Sequence, residues 1–149
     1  MKIVNLDGYT TNPGDLSWDW LGNYGEYKVY DRTAPEQIVE RAKDADILII
    51  NKSVITAQML ENLPNLKFVG LQSTGYNVID CKAARARNIT VSNIPAYSTT
   101  GVAQLVFAFI LQVADNVSLH SDAVHNGEWC QCPDFCFWKT PLTELDGKT

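Results

Sequence analysis

The first 97 residues switch five times between a short β-rich segment and a short amphipathic one, and few architectures tolerate that rhythm. Residues 2–6 alternate apolar and polar side chains and end at Asp7-Gly8. Residues 27–30 are the second such segment, ended by Asp31-Arg32. Ile47-Leu48-Ile49-Ile50 is a continuous apolar run, residues 67–71 end on Phe68-Val69-Gly70-Leu71, and Ile89-Thr90-Val91 is the fifth. Helix signals stand between them. Asp15, after the turn Asn12-Pro13-Gly14, is placed to cap a short helix through Leu21. Thr33-Ala34-Pro35-Glu36 has capping-box spacing with Pro in the first turn and predicts a helix to about Lys43. Thr56 opens a helix that Pro64 stops, and residues 78–87 are a fourth helix with Asn77 as N-cap and Asp80 at its third position.

Uninterrupted β-α alternation specifies an α/β fold, a parallel sheet with helices on both faces. The Ile47–Ile50 run fits a strand covered on both sides. A five-stranded sheet of this size takes the flavodoxin-like order 2-1-3-4-5, and ligands bind at its switch point, off the carboxyl ends of strands 1 and 3. The residues at those ends are Asp7-Gly8, Asn51-Lys52-Ser53 and Ser73-Thr74-Gly75. A base, several hydroxyls and a glycine turn are thus expected to converge on one crevice that suits a small carboxylate. Gly75 sits where a tight turn needs backbone freedom, and the amides of Thr74, Gly75 and Tyr76 would face an anion at the start of the fourth helix. Tyr97 lies in the connector after the fifth strand, its hydroxyl within reach of the same crevice; a core tyrosine is the competing reading.

After Pro95 the character changes, which divides the chain into residues 1–97 and 98–149. A long helix is expected from near Gly101 to about His125, closing at Asn126-Gly127, roughly 35–40 Å at 1.5 Å per residue. Its first half, from Val102 to Val113, is apolar around nearly its whole circumference and must be buried on all sides. The sheet can cover one side only, so a partner subunit or a further domain has to cover the rest.

Other classes are excluded by what the chain lacks. Net charge is −5 with no Lys/Arg cluster longer than a pair, which argues against nucleic acid and anionic membrane surfaces as partners. The apolar stretch at 102–114 carries Gln104 and Gln112 and is too short for a membrane span. The N-terminus reads as a strand rather than a secretory segment, so a cytoplasmic protein is expected. Cys130, Cys132 and Cys136 lack the paired knuckles of a zinc site and read, with Cys81, as local packing thiols in a reducing compartment. His120 and His125 are five apart, wrong for two ligands on one helix face. No G-x-G-x-x-G, P-loop or G-x-S-x-G occurs, and strand 3 ends in Asn51-Lys52 rather than the Asp of a response regulator.

Five ordered segments nevertheless resemble one family over the whole chain. The run Ser73-Thr74-Gly75-Tyr76-Asn77-Val78-Ile79-Asp80, then Ile89-Thr90-Val91-Ser92-Asn93-Ile94-Pro95, Val102-Ala103-Gln104, Gly127-Glu128-Trp129 and Glu144-Leu145-Asp146-Gly147-Lys148-Thr149 follow the order and spacing of the D-isomer-specific 2-hydroxyacid dehydrogenases. The segment from Trp129 to Trp138 is most similar to the bacterial D-glycerate (hydroxypyruvate reductase) branch. The resemblance implies a two-domain NAD-dependent enzyme acting on a small 2-hydroxy or 2-keto acid, of which this chain is the N-terminal, substrate-binding portion. It implies that Thr74 and Gly75, with Ser73, lie in the loop whose amides hold the substrate carboxylate, that Lys52 and Ser53 border the same pocket, and that Tyr97 occupies a position that donates a hydroxyl in some members. The helix around residues 102–113 corresponds to the family's homodimerisation helix. The family's catalytic Arg, Glu and His and its NAD site fall beyond Thr149, so none is assigned here and this chain is expected to be inactive. Gln104 and Gly101 stand where many members have Glu and Ser, which weakens the cap of that helix. A free-standing carboxylate-binding module and a non-catalytic corepressor-type relative share the fold and remain the alternatives.

Overall fold

Five parallel strands lie side by side in the order β2-β1-β3-β4-β5. They are β1 (Lys2–Asn5), β2 (Glu26–Val29), β3 (Ile47–Ile50), β4 (Phe68–Leu71) and β5 (Thr90–Ser92). The computed structural model describes residues 1–148, so Thr149, the last residue of the Glu144 segment, lies outside the described residues. The chain forms two units, Met1–Tyr97 and Ser98–Thr149.

In the first unit, alternate strand residues face a single helical layer made of α1 (Ile38–Ala42), α2 (Ala57–Glu61) and α3 (Cys81–Ala86). Val4, Leu48, Ile50, Val69 and Leu71 meet Ile38, Ala42, Leu60 and Ala84 there in one buried cluster. The opposite face is covered more thinly, because the first crossover supplies only a 3-10 helix, Asp19–Asn23. Ile3, Ile47, Ile49, Phe68 and Gly70 share with Trp18, Trp20, Leu21 and Tyr24 an apolar groove of about 510 Å3. That is why Ile47 and Ile49 are half-buried while Leu48 and Ile50 are fully buried, although all four read alike in sequence.

Three expected caps resolve differently. Thr56 does accept from the Met59 amide at 3.2 Å and starts α2. Thr33 caps nothing: its hydroxyl donates to the Leu6 carbonyl at 2.6 Å and accepts from Arg41 at 2.9 Å, so Ala34 precedes a 3-10 turn, Pro35–Gln37, that leads into α1. Asp15 likewise caps no helix; Asn12 organises that turn, its side-chain oxygen accepting from the Gly14 and Leu16 amides at 3.1 Å.

Gly25 immediately precedes β2 at φ +156°, and a Cβ there would run into the Met1 carbonyl. Gly25→Ala is therefore expected to lower stability by about 2 kcal/mol or more, a drop of roughly 10 °C in the thermal midpoint. Asp46 accepts from the Lys67 ammonium at 2.8 Å and the Lys2 amide at 2.9 Å, and these hold its carboxyl below the ordinary carboxylate range. A depressed folded value gives a contribution that is complete above the ordinary range and is lost as pH falls through the folded value. The urea midpoints of the parent and Asp46→Asn should accordingly differ at about pH 6 and draw together as the pH falls below the ordinary carboxylate range.

The second unit holds α4 (Thr99–Asp115), α5 (Val117–His125) and α6 (Glu128–Gln131). The single long helix expected from 101 to 125 is in fact two, bent by 64° at Asn116. Asn116 adopts the left-handed conformation at φ 48°, ψ 46°, which its short polar side chain tolerates. The break is held by the Gln112 side chain, which accepts from Ser118, and by Asn116 donating to the Thr140 hydroxyl at 3.1 Å. His120 ties the tail back, its Nε2 accepting from the Lys139 amide at 3.0 Å. Among the described residues no single helix is long and apolar enough to cross a membrane. The cysteines are free thiols, and Cys81, Cys130 and Cys136 are exposed, so the packing role expected for them does not hold.

Candidate functional site

The chain turns away from β1 and β3 on opposite sides of the switch point, and what fills the gap is a carboxylate. Asp7, buried at the end of β1, accepts three backbone hydrogen bonds from the loop after β3: Asn51 N–H to Oδ1, and Lys52 and Ser53 N–H to Oδ2, each at 2.7 Å. Thr10 adds a second tie. Its hydroxyl donates to the Asp7 carbonyl at 2.9 Å and accepts from the Asn51 side chain at 2.8 Å. Beside this staple lies a crevice of about 440 Å3, with Asp7, Thr10, Arg32, Lys52 and Ser53 on its polar side and Ile38 and Met59 on its apolar side. Arg32 stacks on the Tyr9 ring at 4.1 Å. Among the described residues neither Arg32 nor Lys52 forms an ion pair, so with the single Asp7 carboxylate the crevice lining carries a net positive charge in an acidic chain.

The loop after β4 is the neighbouring feature, since β3 and β4 are adjacent in the sheet. Ser73 is buried and its hydroxyl donates to the Gly75 carbonyl at 2.9 Å. The Thr74 hydroxyl donates to the Ile94 carbonyl at 3.0 Å, and the Asn93 side chain donates to the Thr74 carbonyl at 2.7 Å. These bonds fix the loop against the segment after β5 and commit both hydroxyl protons to shaping it. Thr74, Gly75 and Tyr76 are exposed, and among the described residues their amides donate to no protein acceptor. Three successive N–H groups on this pinned loop are thus left without a protein acceptor and open to solvent or to an anion.

Two features of this loop differ from the sequence expectation. The helix does not start at Asn77: Asp80 is the N-cap of α3 and accepts from the Ala83 amide at 2.8 Å. Residues 77–80 are occupied instead by a bridge between Ile55 and Ile79, with Ile55 N–H donating to the Val78 carbonyl at 2.8 Å. The free amides therefore owe nothing to a helix macrodipole. Gly75 is not left-handed either, and a Cβ there would meet only the Asn77 side-chain oxygen, at 3.4 Å.

Lys52 and Ser53 thus line the crevice, while Ser73, Thr74 and Gly75 stand on the adjacent loop rather than in it. Tyr97 is 65% exposed rather than buried in the core. Asp7 stands at the crevice as expected from its place at the end of the first strand, but its role as a staple for the loop after β3 was not foreseen, and Thr10 and Arg32 were not singled out from sequence.

Comparison with known proteins bears on these features. The family model described as "D-isomer specific 2-hydroxyacid dehydrogenase, catalytic domain" matches residues 10–140. A hydroxypyruvate reductase of Blautia hydrogenotrophica is 48% identical over 99% of this chain and 47% of its own length. A glycerate dehydrogenase of Methylorubrum extorquens is 36% identical over 83% of this chain and 40% of its own. The solved structure of a D-lactate dehydrogenase from Aquifex aeolicus, in complex with NAD and lactic acid, superposes with a TM-score of 0.67 at 21% identity, over 93% of this chain and 41% of that one. The chain spans about half the length of the curated relatives it matches.

Proposed function

Because the chain belongs to the D-isomer-specific 2-hydroxyacid dehydrogenase family, we propose that it is the substrate-binding portion of an NAD-dependent enzyme that interconverts a 2-hydroxy acid and a 2-keto acid, with D-glycerate and hydroxypyruvate as the pair. The observation that carries this reading is the set of free amides at Thr74, Gly75 and Tyr76 beside a crevice with two unpaired cations. The amides receive the substrate carboxylate, and the charge of Lys52 draws it toward the loop. Ser53, fixed through its own amide, borders the same space.

The nicotinamide group supplies the hydride in this family's chemistry. Its site does not fit the residues of this chain. The turn after β1 carries one glycine, Gly8, whose Cβ would lie 2.6 Å from Val29 Cγ1, and the amides after β3 are already filled by Asp7. No pyrophosphate cradle is left there. The enzyme is taken to work in the cytoplasm, where four free thiols persist, and as a homodimer through α4.

The test is a paired measurement on the 149-residue chain. D-glycerate should shift the amide resonances of residues 74–76 with a Kd on the order of 1 mM, about −4 kcal/mol, and hydroxypyruvate with NADH should give no turnover. Binding that leaves those amides unmoved, or turnover by this chain, would overturn the assignment.

A further inference from the structure

Two neighbouring parallel strands of the sheet, β3 and β4, end on the same side of it, and each is followed by a loop with three successive backbone amides outside the strand ladder. One donor set is full and the other is not. At the end of β3 the amides of Asn51, Lys52 and Ser53 all close on the Asp7 carboxylate at 2.7 Å. At the end of β4 the amides of Thr74, Gly75 and Tyr76 have no acceptor among the described residues. The filled set shows what such a loop holds in this fold: a carboxylate, received by charge-assisted hydrogen bonds from consecutive N–H groups.

Asp7 is built for that place rather than left there by chance. It is buried, its own amide donates to the Asn5 side chain at 3.2 Å, and its carbonyl accepts from the Thr10 hydroxyl, which in turn accepts from the Asn51 side chain. Three of its roughly four acceptor sites are engaged, Oδ2 by two amides and Oδ1 by one, so most of the group's hydrogen-bonding capacity is spent inside the protein. Its work falls on the residues that follow Asn51. Lys52 is exposed and Ser53 is buried, and both take their backbone positions from this one carboxylate.

We propose that Asp7 is a positioning residue of the substrate site, an internal carboxylate that plugs the amide set after β3, holds Lys52 and Ser53 in place, and leaves the set after β4 as the only one of the two open to a substrate carboxylate. The assignment rests on the carboxylate-binding reading given above and adds to it a residue that never touches the substrate.

The experiment is a set of amide-resonance titrations on the 149-residue chain and two variants. In the parent, D-glycerate and formate should move the amides of residues 74–76 and leave those of 51–53 in place. In Asp7→Ala the amides of 51–53 should move upfield and exchange with solvent at least about tenfold faster, having lost hydrogen bonds to a charged acceptor. Formate should then titrate them back toward their parent positions, which a residue needed only for packing would not permit. Asp7→Asn keeps the shape and covers the case in which the alanine variant fails to fold. Its single side-chain oxygen can serve Lys52 and Ser53 while its amide group opposes Asn51, so exchange should quicken at Asn51 alone. Parent 51–53 amides that respond to D-glycerate, or variant amides that keep their shifts and exchange rates, would overturn the proposal. If D-glycerate moves neither set, the proposed function fails, while the formate result with Asp7→Ala still decides whether Asp7 plugs the loop.

Discussion

Val106→Asp combined with Phe109→Asp is expected to abolish the homodimer proposed through α4, raising its dissociation constant at least about a thousandfold. None of the side chains of α4 is buried within the chain; Val106 is 50% exposed and Phe109 is 62% exposed. Val102, Val106, Phe109 and Val113 recur at the four-three-four spacing that brings one helix face against another. A continuous stripe of this kind is rarely left in water, and a second copy of the same helix is its simplest cover. Burying one Val or Phe contributes about 1.5–3 kcal/mol, and two-fold symmetry counts each substitution twice, so four lost apolar contacts exceed the roughly 4 kcal/mol that a thousandfold shift requires. The monomer itself should fold unchanged, because both positions face solvent in the isolated chain. Light scattering of the two proteins at matched concentration, with far-ultraviolet circular dichroism as the control, reads the outcome. A parent that is strictly monomeric at high concentration would refute the dimer.

What could be read in the residues, and what could not, follows the range of the interactions involved. The strands and their order were legible because period-two runs and turn residues are local, and because right-handed crossovers leave few orders for five β-α units. The Thr56 cap was legible for the same reason: its acceptor and donor lie three residues apart. Thr33 has the same local pattern and a different outcome, because the Leu6 carbonyl, 27 residues earlier, takes its hydroxyl once the strands assemble. Asp80 displaces Asn77 as a cap because the bridge between Ile55 and Ile79 claims the intervening backbone. The loop residues Lys52, Ser53, Ser73, Thr74 and Gly75 could be named from their places after the strands. Asp7 could be placed at the same crevice, but its three bonds to the loop after β3 could not be foreseen, since it sits 44 to 46 residues upstream of its donors. Asn116 is the reverse case. Its residue type tolerates the left-handed conformation, but the apolar pattern continuing on either side gave a single helix, and the break was not read.

Gly75→Ala is expected to separate binding from folding. Glycine positions in this chain are constrained in two different ways, and the two substitutions should give opposite profiles. At Gly25 the backbone conformation and the Met1 carbonyl leave no room for a methyl, so the cost falls on stability. At Gly75 the conformation suits any residue and the nearest atom to an added Cβ is the Asn77 side-chain oxygen at 3.4 Å, a neighbour that can move by a few tenths of an ångström. The thermal midpoint should therefore stay within a few degrees of the parent, the range of an ordinary surface substitution. The methyl nevertheless stands beside the amides of Gly75 and Tyr76, where a bound carboxylate must approach the backbone closely. Losing one charge-assisted hydrogen bond removes about 1.5–3 kcal/mol, so D-glycerate affinity should fall by roughly ten- to a hundredfold. Against a parent Kd on the order of 1 mM, the variant titration would no longer saturate. An alanine variant that binds D-glycerate as well as the parent would mean the carboxylate sits elsewhere, and the free amides after β4 would lose their claim to it.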